Sequence, residues 1–191
     1  HVKGESVFTN DIPHPKDCLF AAVGWSKKAH SMIKSIDLRK VIKDPDVKVI
    51  VTAEDIPGIN DCAIVIQGDP IFIKEKETSN YFGQPLFAIG CSSRRAALKA
   101  VKKAIIKYET LKPIITIKDA LKKNSYISKP TEVKKGNPLK KISEAKHSIT
   151  GNFKTGAQDH LYLEPQSCFA VPKEDNDLLI YASTQNPSKT Q

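Results

Sequence analysis

The residues best equipped for chemistry lie near the end of the 191-residue chain. Gln158, His160, Tyr162 and Glu164 occupy alternate positions. In a β-strand that spacing puts all four hydrogen-bonding side chains on one face and Leu161 and Leu163 on the other. Such a face must meet water, a partner or a polar ligand, because buried unpaired polar groups are costly. The next apolar strand, Leu178 to Ala182, runs directly into Ser183, Thr184 and Gln185. An amide side chain therefore stands at a strand end, where binding residues often sit. An amide both donates and accepts hydrogen bonds without adding charge. From the residue alone, capping a turn before Pro187 is the favoured reading of Gln185. His160 and Glu164 are two possible metal ligands without a third, a poor metal site. Cys168 sits in the run Ser167, Cys168, Phe169, Ala170, Val171, where a buried inert thiol is expected. Trp25 and His30 read as finishing a loop or core.

These candidates need elements to position them. Residues 19–23 and 32–36 have strand patterns, the second alternating apolar with polar as a half-buried strand does. Asp37 can cap a short helix over 38–43, which Pro45 stops. Residues 47–52 form a clear strand, followed by a turn over 54–58. Residues 64–66 and 71–73 carry lesser strand patterns. The apolar run 86–91 suits a buried strand. Ser92 or Ser93 can cap a helix over 94–105, with Ala97, Leu98, Val101, Ala104 and Ile105 as its apolar stripe. Residues 106–109 alternate again, completing a compact strand–helix–strand unit. Thr116 and Asp119 have capping-box spacing before a helix ending near Asn124. Residues 124–139, with Pro130, Gly136, Pro138 and several lysines, read as a linker. A new β region starts at residues 149–153.

Composition narrows the class. With 40% hydrophobic and 27% charged residues the chain fits a soluble globular protein. No apolar run approaches the roughly 20 residues of a membrane span. The start has no signal-peptide pattern and no initiator Met, and His1 suggests a chain cut from a longer one. The formal charge of +9 raises nucleic acid as a partner. The lysines run along the whole chain, aromatics are 7% and no nucleic-acid motif accompanies them, so solvated lysine faces are the reading and nucleic acid is not expected. Cys18, Cys62, Cys91 and Cys168 form no CxxC pair, so neither zinc nor iron–sulfur ligation is signalled. Cys91 and Cys168 lie in apolar runs and read as core residues. A reducing compartment, the cytoplasm, is expected.

A set of short motifs runs through the chain in order: residues 8–13 (FTNDIP), 29–37 (AHSMIKSID), 52–58 (TAEDIPG), 82–85 (FGQP), 107–109 (KYE), 117–121 (IKDAL), 158–164 (QDHLYLE) and 183–187 (STQNP). Together they resemble the start of the molybdenum-binding portion of the xanthine dehydrogenase and aldehyde oxidase family, closest to xanthine dehydrogenase. The resemblance implies an α+β fold: an α/β-hammerhead domain over residues 1–125, a linker over 126–140, and the truncated beginning of a molybdopterin-binding domain over 141–191. It implies that Gln185 lies beside the molybdenum, its amide hydrogen-bonding to an oxygen ligand. Gln158 is a second cofactor-binding candidate, although Gln158, His160 and Glu164 could instead form a structural hydrogen-bond ladder. The sequence departs from the family at Ala157, which replaces the second residue of a Gly-Gly-Gln motif.

The implied activity is hydroxylation of a purine or related N-heterocycle with oxygen from water. The cofactors implied are molybdenum–molybdopterin here, with 2Fe–2S clusters and FAD in other domains or subunits of the parent. A homodimeric or multi-subunit parent follows by the same resemblance. No catalytic residue falls within these 191 residues, because the family's cofactor loop, substrate arginine and glutamate base lie further on. The fragment alone is therefore expected to be inactive. An aldehyde oxidase and a noncatalytic hammerhead docking module are the alternatives, with a basic nucleic-acid binder as a third.

Overall fold

The apolar run at the middle of the chain becomes the centre of a sheet. The computed structural model describes residues 2–63 and 67–191. It divides into one unit of residues 1–113 with 166–191 and a second of residues 114–165. In the first unit the regular elements are β1 (Phe20–Trp25), β2 (Ser31–Asp37), α1 (Arg39–Ile42), β3 (Val47–Thr52), β4 (Thr78–Ser79), β5 (Pro85–Cys91), α2 (Arg94–Ala100) and β6 (Ile105–Thr110). The second unit holds α3 (Ile117–Lys122) and α4 (Pro138–Ser143). The first unit resumes with β7 (Cys168–Pro172), β8 (Leu178–Ala182) and α5 (Pro187–Thr190).

Strand β5 lies between β1 and β3 in an antiparallel sheet. Its Leu86, Phe87, Ile89 and Cys91 are all essentially inaccessible, as a continuous apolar run between two neighbours requires. Gly24 pairs with Phe87 across the ladder, and a Cβ there would collide with the phenyl ring. Glycine thus makes room for the largest core side chain. Helix α2 packs on this sheet, contributing the buried Ala97 and Ala100. Ser93 caps it, its Oγ accepting from the Ala96 amide at 3.2 Å. Ile33 of β2 joins the same core. Strand β2 lies between β4 and β6 in a second antiparallel sheet. Strands β7 and β8 form a hairpin.

Several expectations change. The helix anticipated over 94–105 ends at Ala100, followed by a 3-10 turn at Val101–Lys103. Ala104 is already extended and Ile105 pairs with Asp37, so strand pairing with β2 takes over the last residues. Leu98 and Ile105 are exposed, while Ala100 belongs to the buried face. Residues 71–73 form no strand. The Asn60 side chain takes both backbone groups of Phe72, donating to its carbonyl at 2.8 Å and accepting from its amide at 3.0 Å. The pattern at 64–66 lies outside the described residues. The short helix runs only over Arg39–Ile42 with Leu38 at its N-cap, so Asp37 ends β2 instead of capping it, although its Oδ1 accepts from the Arg39 amide at 3.0 Å. Thr116 accepts from the Asp119 amide at 3.1 Å and starts α3.

The largest departure concerns the later β region. Residues 144–167 contain neither helix nor strand, so residues 149–153 begin no sheet and 158–164 form no strand. A strand needs a neighbour to pair its backbone groups, and none of the ladders includes these residues. Cys91 is buried as anticipated, but Cys168 is exposed. The alternation of β7 half-buries Phe169 and Val171 and turns Cys168 to the open face.

Candidate functional site

The loop after β8 carries Gln185, and both of its flanks are pinned. Ser167 and Ser183 extend the β7–β8 hairpin: the Ser183 amide donates to the Ser167 carbonyl at 3.0 Å, and the Ser167 amide donates to Ser183 Oγ at 3.1 Å. On the other side Thr184 Oγ1 accepts from the Asn186 amide at 3.1 Å. The Thr190 hydroxyl reaches Thr184 Oγ1 at 3.3 Å and the Asn186 carbonyl at 3.2 Å. Pro187 opens α5, where its missing N–H forfeits nothing. Between these fixed points Gln185 is exposed. Its amide makes no hydrogen bond among the described residues, so both donor and acceptor are free for a ligand.

Gln158 lies in the other unit, in irregular chain, and is exposed. No ladder sets Gln158, His160, Tyr162 and Glu164 on a common sheet face. Leu161 and Leu163 are 104% and 85% exposed, so no apolar face opposes them. Locally, Asp159 Oδ1 accepts from the His160 amide at 2.8 Å and the Tyr162 amide donates to the His160 carbonyl at 3.0 Å. Ala157 is not among the residues with a left-handed backbone, so the alanine is accommodated there without strain.

Neither candidate belongs to a metal-ligand set. Among the described residues no three His, Cys, Asp or Glu side chains gather closely enough to hold a metal ion. The chemistry available at Gln185 and Gln158 is neutral hydrogen bonding. That suits holding an oxygen-rich cofactor whose metal is ligated by other groups, and it does not suit direct metal ligation.

The perturbed acidities fall elsewhere and serve the fold. Asp61 is held below the usual carboxylate range by backbone N–H groups of Ala63 at 2.8 Å, Gly68 at 2.6 Å and Asp69 at 3.3 Å. Asp44 is lowered by the Lys103 ammonium at 2.7 Å and then by the Asp46 amide. Asp37 is lowered by the Arg39 guanidinium. Burial pushes the Cys91 and Cys62 thiols up, the opposite of nucleophile activation. His30 Nδ1 meets the Lys112 carbonyl at 3.1 Å, while Trp25 ends β1 half in solvent.

One feature carried no sequence signal. A cavity of about 350 Å³ lies against Ile36, Leu38, Thr52, Ala53, Ile73 and Leu86, with Lys74 paired to Glu54 at its rim. Its walls come from separate strands and loops, so no motif marks it. Glu75, also on this wall, accepts from the Ile36 amide at 2.6 Å and satisfies an edge group of β2.

Comparisons with known proteins match this architecture. Residues 3–112 match the family model described as aldehyde oxidase and xanthine dehydrogenase, a/b hammerhead domain. Residues 117–191 match the molybdopterin cofactor-binding domain. A xanthine dehydrogenase of Dictyostelium discoideum is 41% identical over 190 residues, covering all of this chain and 14% of that protein. An aldehyde oxidase 2 of Macaca fascicularis is 38% identical over 193 residues, again spanning 14% of its length. Among solved structures, quinoline 2-oxidoreductase from Pseudomonas putida 86 superposes with a TM-score of 0.79 at 18% identity, covering 96% of this chain and 25% of that one. That likeness establishes the fold. The α/β-hammerhead expectation and the start of a molybdopterin-binding domain are both met, and the chain belongs to the aldehyde oxidase and xanthine dehydrogenase family.

Proposed function

We propose that the parent protein is a molybdenum hydroxylase of xanthine dehydrogenase type, acting on purines or related N-heterocycles. In that reaction a ring C–H becomes C–OH, water supplies the oxygen, and two electrons and two protons leave. The molybdenum–molybdopterin group, when bound, supplies the two-electron redox chemistry. This chain supplies position. Gln185 holds the cofactor by a neutral hydrogen bond, and Gln158 is a second contact to it. The observation that carries this reading is the Gln185 amide, exposed and unengaged between residues fixed by their own hydrogen bonds. A preorganised donor loses little freedom on binding.

The 191 residues by themselves are inactive on this reading, because the glutamate base that the family resemblance implies is not among them. Electrons pass on to 2Fe–2S clusters and FAD elsewhere in a dimeric or multi-subunit parent. Four free thiols support a reducing cytoplasmic location, and among the described residues no helix is long and apolar enough to cross a membrane. Aldehyde oxidation is the second reading, favoured by the 38% identity to the Macaca fascicularis protein. The boundaries 1–125, 126–140 and 141–191 remain our proposed division of hammerhead, linker and cofactor domain.

Gln185→Ala in the full-length parent tests the reading. Loss of one outer hydrogen bond to a metal cofactor is expected to lower turnover about 10–100-fold, with the fold and metal content kept. Unchanged turnover in fully metallated variant would remove Gln185 from the site. Turnover of xanthine and hypoxanthine against aldehydes separates the two substrate classes.

A further inference from the structure

Sorted by segment, the lysines are not evenly spread. Residues 118–146 contain nine lysines against three acidic residues. Glu144 already serves two of the nine, Lys140 at 3.6 Å and Lys141 at 3.7 Å. Lys118, Lys122, Lys123, Lys129, Lys134, Lys135 and Lys146 have no ion pair among the described residues. Apart from half-buried Ala120, every residue of the stretch is exposed. Large apolar side chains are interleaved with the charge: Ile127 is 103% exposed, Val133 96%, Leu139 75% and Ile142 61%. A solvated lysine face has no need of them.

We propose that residues 118–146 are a basic docking strap for an acidic protein surface on the remainder of the parent. Charge selects the occupant. Residues 114–165 carry ten basic residues against five acidic, and the rest of the chain carries 20 against 16. Both units are net basic, so neither the other unit nor a second copy complements the strap. The first relatives are about seven times longer than this chain, which spans 14% of them. In proteins of that length most of the available surface lies outside the matched portion. The exposed apolar residues supply the buried centre of such a contact and the lysines its rim.

The test uses the full-length parent, and its readouts do not depend on metal loading. Carbodiimide coupling joins lysine amines only to carboxylates in direct contact. Coupling of Lys134, Lys135, Lys140 or Lys141 to acidic residues outside this chain is expected at low salt. It should fall tenfold or more near 1 M salt, where the screening length is about 3 Å. Chymotrypsin reads the same contact without cutting at lysine, because Tyr126 within the strap is 54% exposed. The variant K134E/K135E/K140E/K141E is expected to be cut there at least tenfold faster than wild type. No coupling at low salt, or equal cleavage of wild type and variant, would overturn the proposal. Protection that appears only with added mixed-sequence nucleic acid, or only with anionic phosphatidylserine vesicles, would overturn it in favour of that partner.

Discussion

Strand β5 has a neighbour on each edge and α2 over one face, whereas residues 158–164 belong to no ladder and all but Glu164 are exposed. Strand β5 carries no charged or amide side chain, whereas Gln158, Asp159, His160 and Glu164 make the second stretch largely polar, and their energetics differ accordingly. Phe87 and Leu86 are each 1% exposed, and full burial of such a side chain stabilises a fold by about 1.5–3 kcal/mol. Leu161 and Leu163 contribute nothing comparable where they stand. The hammerhead is held by its own core. In the candidate cofactor segment Gln158, His160 and Tyr162 are exposed rather than packed in a core.

The contrast can be broken most directly at its extremes. Phe87→Ala should cost about 3–5 kcal/mol in urea unfolding, while Leu161→Ala should change stability by less than about 0.5 kcal/mol. A comparable loss at both positions would show that residues 158–164 are packed after all. Gly24→Ala should cost about 1–3 kcal/mol by overpacking against the Phe87 ring. Adding Phe87→Leu should then recover part of that loss, a coupling read from the double-mutant cycle. Gln84 is 2% exposed, and its Oε1 accepts from the Asn80 amide at 2.7 Å. Gln84→Leu should cost about 1–3 kcal/mol by orphaning that donor. Gln158→Leu, at an exposed site, should leave the unfolding midpoint within error.

The smallest effect is a pH dependence in the first unit. The Lys103 ammonium and the Asp46 amide hold the pKa of Asp44 below its ordinary 3.8. A depressed folded pKa stabilises the fold fully above the unfolded value, and the benefit is lost as pH falls through the folded one. Thermal midpoints of wild type and Asp44→Asn should therefore differ at neutral pH and converge below pH 3.8. A gap that stays constant down through that range would deny the ion pair its role.

What could be read from residues alone followed how local the cause was. Strands β3 and β8 fell where their apolar runs placed them, and Ser93 and Thr116 cap the helices their spacing announced. The end of α2 was not legible, because it is set by β6 pairing with a strand about 70 residues earlier. The pairing of Asn60 with Phe72 was likewise invisible, since any asparagine can make such a bond. Alternation at 158–164 describes which side chains would share a face, but says nothing of whether a neighbouring strand exists to use it. Cys91 and Cys168 sit in equally apolar runs, yet only Cys91 lies in a strand with a neighbour on each edge. The hydrogen bonds that fix the flanks of the Gln185 loop became visible only in three dimensions.

The central claim is that this chain is the opening portion of a molybdenum enzyme's cofactor region. Metal and pterin content of the purified full-length parent tests it most directly. The account predicts near-stoichiometric molybdenum with a releasable fluorescent pterin. Neither molybdenum nor pterin, from a host proven to load related enzymes, would contradict it and leave a hammerhead that serves only as a docking module.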